Sequence, residues 1–178
     1  MKKPLLIVLG GLPGVGKTTL AKKLAAYYKA AFIRVDSIEQ SILNSSLDIE
    51  DVAEAGYETG FLIAKDNLQL GNSVVADSVN PIALSRQAWK ECAKESDCHI
   101  IEIELICSDS KEHRNRVERR SADIIGHKLP DWQSVLDREY EKWESPNIVI
   151  DTAAKTADEI EKAAISEIER MDLNHSTC

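Results

Sequence analysis

The sequence predicts a three-layer α/β fold, a parallel sheet of five strands between two layers of helices, and three observations predict it. Short apolar runs rich in Val, Ile and Leu alternate with longer segments of helical period along the chain. The runs lack the polar alternation of a half-solvated sheet, so both faces of each strand are buried, and parallel strands of that kind need right-handed crossover helices. The 178 residues make one domain's length, enough to bury roughly 70% of the unfolded surface without disulfides or a structural metal.

The elements follow in order. The first run, 5–9, comes after two lysines but is too short for a signal-peptide core or a membrane span. It reads as a buried strand. Residues 17–28 carry Leu20, Leu24 and Tyr27 or Tyr28 on one side of a helix. A second strand is expected at 32–35, with a short helix at 37–43 after it. A long mixed helix spans 52–70 with Ala55, Leu62 and Leu68, and a third strand covers 73–76. Residues 81–94 form a helix with Pro81 at its first position and Ile82, Trp89 and Ala93 inward. The fourth strand, 100–106, leads to a very charged helix at 109–120 and an irregular, movable piece at 121–131 that holds Gly126 and Pro130. Trp132 and Trp143 follow and pack under it. A last strand at 147–150 and a helix at 158–171 close the chain. No repeat and no linker divides it, so residues 1–178 read as a single domain with a lid at 110–131.

Charge narrows the ligands. The chain has 22 Lys+Arg against 30 Asp+Glu, a formal net charge of −8. Such a chain repels phosphate backbones in bulk, so an anionic ligand must be met by a local site and a nucleic-acid partner is disfavoured. The four cysteines lack the close pairing of a zinc site, and the four histidines form no cluster with other ligands. With no membrane span in view, reduced thiols and a cytoplasmic protein are expected.

The local anion site is legible. Gly11-Leu12-Pro13-Gly14-Val15-Gly16-Lys17-Thr18 matches G-x-x-x-x-G-K-[ST] at every fixed position, after an apolar strand and at the start of a helix. Glycines let backbone N–H groups turn inward around a phosphate, Lys17 reaches its outer oxygens, and the Thr18 hydroxyl meets a magnesium ion. The nucleotide-binding set is therefore Gly11, Gly14, Val15, Gly16, Lys17, Thr18 and Thr19, for ATP or GTP with Mg²⁺. A carboxylate at a neighbouring strand end completes such a site. Asp77 follows the third strand and suits the metal beside Thr18, or is a loop charge. Asp36 follows the second strand and is a general base for an attacking hydroxyl, an N-cap of the next helix, or both. Arg116 and Arg120, four apart on one helix face, form an arginine clamp for the transferred phosphoryl group, with Arg119 as a spare; the alternative is a salt-bridged, solvated helix.

These parts resemble the small P-loop kinases of the P-loop NTPase fold, the group that includes polynucleotide 5′-kinase, zeta-toxin kinases and chloramphenicol phosphotransferase. The resemblance covers about residues 4–120 in the same order: GLPGVGKTT, VDSIEQSI, VVADSVNP, RQAWKECAK and the Arg-x-x-x-Arg of Arg116 and Arg120. It implies Asp36 as general base, Asp77 near the Mg²⁺ or its waters, and the arginines on the phosphates. It also implies that the loop after the last strand, from Asp151, lies beside the base of the nucleotide. One position departs. Where the polynucleotide kinase pattern has an Arg three residues after the base, this chain has Glu39, which repels an acceptor phosphate. The expectation is an ATP-dependent kinase acting on a hydroxyl of a small molecule. A polynucleotide or nucleoside 5′-hydroxyl kinase is the alternative, and an ATP-dependent switch working through a protein partner is the alternative of another class.

Overall fold

The structure, a computed structural model, describes residues 3–144 and 148–175. Five strands, β1 (Leu5–Gly10), β2 (Ala31–Arg34), β3 (Val74–Asp77), β4 (His99–Ile106) and β5 (Ile148–Asp151), form one sheet in the order β2-β3-β1-β4-β5, every pair parallel. Seven helices connect them: α1 (Lys17–Tyr28), α2 (Val35–Leu43), α3 (Ala55–Gln69), α4 (Ala83–Glu95), α5 (Ser110–Arg119), α6 (Trp132–Leu136) and α7 (Ala157–His175). This is the P-loop NTPase fold, with β1 at the centre.

The pleat of β1 divides the core. Leu5, Ile7 and Leu9 face one side and pack with Leu20 and Leu24 of α1 and with Ile160, Ala164 and Ile168 of α7. Leu6 and Val8 face the other, against Ala64 and Leu68 of α3 and Trp89 of α4. A strand with helices on both faces cannot alternate apolar with polar, which is why its sequence reads as an unbroken hydrophobic run.

Element ends differ from the sequence reading where side chains intervene. Val35 is the first residue of α2, since Arg34 in extended conformation (φ −116°) is already its N-cap; strand passes to helix with no loop. The helix expected from residue 52 begins at Ala55, because Asp51 turns the chain by accepting from the Ala53 amide and Ala53 sits at φ 44°. Pro81 stands outside α4, whose N-cap is Ile82. The Pro81 carbonyl accepts from the Glu141 amide and from Arg86, and the Glu141 carboxylate caps the Ala83 amide at 2.5 Å. Asn147, expected to open the last strand, lies outside the described residues.

A buried polar hub sets the edge where the loops gather. Asn80, fully buried at φ 52°, donates from Nδ2 to the Leu9 carbonyl (2.8 Å), accepts from Trp89 Nε1 (3.1 Å), and offers its own carbonyl to Arg86 Nε (2.9 Å). Each buried polar group is thereby matched, as burial requires. The neighbouring Val79 carbonyl accepts from the Gly11 amide (3.1 Å), joining the end of β3 to the loop after β1.

Candidate active site

The loop from Gly11 to Gly16 needs its glycines. Gly11, Gly14 and Gly16 have φ of 135°, 88° and 100°, a region costly for residues with a Cβ. Gly16 is the N-cap of α1 with no side-chain hydrogen bond, and no acidic residue stands in the first turn. The helix dipole and the first-turn amides are thus open to an anion.

Helix α5 supports this loop from below. A Cβ on Gly14 would come within 2.6 Å of Val117 Cγ2, and His113 Nε2–H donates to the Pro13 carbonyl at 2.8 Å. His113 and Val117 are buried and one turn apart, and the His113 ring meets Trp132 edge-on at 5.1 Å. The helix that reads as charged and solvated therefore has one buried face against the glycine loop. Its only trace in the sequence is a non-charged pair spaced four apart. Trp143, expected under the irregular segment, packs instead against the end of β1, so close to Gly10 that a Cβ there would lie 2.1 Å from the indole.

A cavity of about 780 Å³ opens between this loop, the ends of β2 and β3, and residues 116–138. Lys17 is buried in its wall, and Nζ donates to the Leu12 carbonyl at 3.0 Å. Burial lowers its pKa to about 8, against the opposing charges of Asp77 and Asp36. Asp77 is the last residue of β3, and burial pushes its carboxyl up while Lys17 and a hydrogen bond from Thr18 pull it down. Its Oδ2 is buried without a hydrogen-bond partner, and Arg34 Nε stays 3.8 Å away. A hydroxyl and an under-satisfied carboxylate side by side are hard oxygen donors, so Thr18 and Asp77 fit a magnesium ion or its waters.

Asp36 is the second residue of α2 and half exposed to the same cavity, 4.0 Å from Arg34. The cap position that it was expected to share belongs to Arg34. Glu39, one turn on, also lines the cavity, where burial and the Asp36 charge raise its pKa and Arg138 lowers it. Gly56 makes room for it, since a Cβ there would lie 2.2 Å from Glu39 Cγ.

The arginines divide differently from the expected pair. Arg120 lies just past α5 in an extended conformation (φ −68°, ψ 147°), so it does not share a helix face with Arg116. The Arg116 guanidinium is held by the Thr152 hydroxyl (2.9 Å) and carbonyl (2.8 Å) after β5, and by Glu112. Arg120 keeps its Nε buried and unpartnered, with one long bond from Nη2 to the Pro130 carbonyl (3.5 Å). Arg138, not singled out in the sequence, lines the cavity too. The irregular segment is tied to both sides of it: Asp123 accepts from Arg34 (2.9 Å) and Lys22 (3.1 Å), and the Ile125 carbonyl accepts from Asn44 (2.9 Å). No group of three or more metal-ligating side chains occurs among the described residues, and none of their helices is long and apolar enough to cross a membrane.

The model of one family, described as AAA domain, matches residues 6–138, the stretch that runs from β1 through the glycine loop to Arg138. The chain belongs to the AAA domain family. Its fold is shared with solved structures of low identity. A gluconokinase from Sinorhizobium meliloti is 21% identical, covers 99% of this chain and 98% of its own, and superposes with a TM-score of 0.70. The Mycobacterium tuberculosis APS kinase CysC in complex with AMPPNP and APS is 14% identical over 95% and 99%, with a TM-score of 0.68. Chaetomium thermophilum Kti12 in complex with ADP-AlF3 is 23% identical over 92% and 98%, with a TM-score of 0.64. Those likenesses concern the fold; the chemistry of this family member rests on its own side chains.

Proposed function

We propose that this protein is an ATP-dependent phosphotransferase that moves the γ-phosphoryl group to a hydroxyl of a small molecule. One observation carries the proposal: Asp36 and Asp77, at the ends of the adjacent strands β2 and β3, face a single cavity that Lys17 and the glycine loop also line. Two carboxylates there suit two tasks, one beside the metal and one for the acceptor. The names of the kinases with this fold support the reading.

In this mechanism the amides of Gly14, Val15, Gly16 and the first turn of α1, to Thr19, seat the phosphates, with Gly11 shaping the loop and Lys17 on the outer oxygens. Thr18 and Asp77 would hold Mg²⁺, which when bound would supply charge neutralisation on the phosphate oxygens. Asp36 accepts the proton of the acceptor hydroxyl as its oxygen bonds to the γ-phosphorus, and the bond from that phosphorus to the leaving oxygen of ADP breaks. Arg120 compensates charge on the transferred group, while Arg116 joins the loop after β5 to α5 on the side of the nucleotide base. The cavity is of the size of a small-molecule site, and Glu39 disfavours an acceptor phosphate such as that of a nucleic acid.

The test is Asp36→Asn. Transfer from labelled ATP across a panel of hydroxyl compounds should fall by about 10²-fold or more, the usual scale of a lost general base, while ATP affinity holds within a factor of a few. Unchanged transfer at unchanged affinity would remove Asp36 from the role.

A further inference from the structure

Cations that line the cavity differ in what holds them. Arg34 and Lys22 are engaged by Asp123, Arg116 by Thr152 and Glu112, and Lys155 by the Asp151 carbonyl. Arg138 and Lys128 are different: no hydrogen bond or ion pair to a described residue holds either of these exposed side chains, although both line the cavity. Lys128 belongs to the irregular segment between α5 and α6, whereas Arg138 follows α6 directly. This one has a fixed backbone. On its N-terminal side α6 is capped by Asp131, which accepts from the Ser134 amide (2.8 Å), and anchored by buried Val135. On its C-terminal side the Tyr140 hydroxyl donates to Glu104 (3.1 Å) and accepts from Trp143 Nε1 (2.7 Å), and Arg86 lies 4.6 Å from the centre of the Trp143 ring.

The charge of Arg138 reaches Lys17, Arg120 and Glu39. Three cations, Lys17, Arg120 and Arg138, thus converge on one volume, and Asp36 and Glu39 stand on its acceptor side. Asp36, Asp77 and Glu39 offset part of this positive charge, and an anion that all three cations share would offset the rest. Resting on the phosphotransferase reading, we propose that Arg138 is the second guanidinium of the phosphoryl clamp, paired with Arg120 in the place that the sequence pattern suggested for Arg116. The clamp then reaches in from the two ends of the segment 120–138, so it forms only when that whole segment lies over the cavity.

The experiment compares binding of Mg·ADP with and without aluminium fluoride, a mimic of the phosphoryl group in transit, by titration calorimetry, and follows turnover of saturating Mg·ATP. In the wild type aluminium fluoride should tighten ADP binding at least tenfold. Arg138→Ala should bind ADP within twofold of wild type, lose that gain, and turn over ATP slower on the order of 10²-fold, the scale of one lost transition-state donor. Arg138→Lys should regain part of both, and Arg170→Ala, at an exposed arginine of α7 outside the cavity, should behave as wild type. Thermal unfolding of Arg138→Ala should match wild type, because no bond is removed. A retained gain in Arg138→Ala, an equal loss of ADP affinity, or no gain in the wild type would overturn the clamp. Wild type that binds no Mg·ADP would instead sink the phosphotransferase reading itself.

Discussion

Lys17 provides a pH signature of nucleotide binding that follows from its burial. Its pKa stands at about 8 because the ammonium is desolvated, and phosphate oxygens placed against it restore the charged form. The sign follows directly: the protein before binding loses the proton as pH rises through about 8, binding puts it back, and affinity must fall above that pH. For one site that must be protonated to bind, the charged fraction drops from about three quarters at pH 7.5 to about one thirtieth at pH 9.5, so Mg·ADP binding weakens on the order of tenfold or more, or about 2 kcal/mol. Calorimetry in buffers of different ionisation enthalpy measures the proton uptake, which should approach one per nucleotide near pH 9.5. Lys17→Met should bind more weakly at pH 7.5 and lose both the slope and the uptake. A flat affinity from pH 7.5 to 9.5 without proton uptake in the wild type would refute the reasoning, since it requires a Lys17 that stays charged before the nucleotide arrives.

Other expectations probe the scaffold. Gly14→Ala drives a methyl into Val117 at 2.6 Å and holds a Cβ residue at φ 88°; nucleotide binding should be lost, and stability in urea should drop by about 1–3 kcal/mol. Adding Val117→Ala relieves the collision but not the backbone strain, so it should recover only part of that stability. Trp89→Ala removes a fully buried indole that bonds Asn80 and meets Phe61 edge-on at 4.5 Å, and should cost about 3–5 kcal/mol in denaturant unfolding. Asp77→Asn should leave Mg-free ADP binding within a factor of a few of wild type and abolish the extra affinity that magnesium confers, measured by titration with and without the ion.

Particular residues show what was legible from the chain. The five strands and the glycine loop were, because a strand buried on both faces is an unbroken apolar run and a phosphate cradle demands glycines at fixed spacing. Asp36 and Asp77, which line the cavity, could be singled out because strand ends in an open parallel sheet are where ligands gather. Strand-to-helix boundaries were not, since they depend on distant partners: Glu141 caps α4 from 58 residues away. The arrangement of the arginines was not legible for the same reason, although both line the cavity. Spacing of four implied a common helix face for Arg116 and Arg120, but the helix stops at Arg119, and Thr152 from another loop takes the Arg116 guanidinium. Arg138 carried no local signal at all, because only the folding of residues 139–144 back against Glu104 and Arg86 brings it to the cavity.

The central claim is that this chain transfers the γ-phosphoryl group to a small hydroxyl compound. Its most direct test follows labelled ATP with purified protein and Mg²⁺ across a panel of hydroxyl metabolites and an oligonucleotide with a free 5′-hydroxyl. The account expects the label to appear on a small acceptor in proportion to the ADP formed, and to vanish from it with Asp36→Asn. Inorganic phosphate released at one rate whatever the acceptor, or label carried by the oligonucleotide alone, would contradict it.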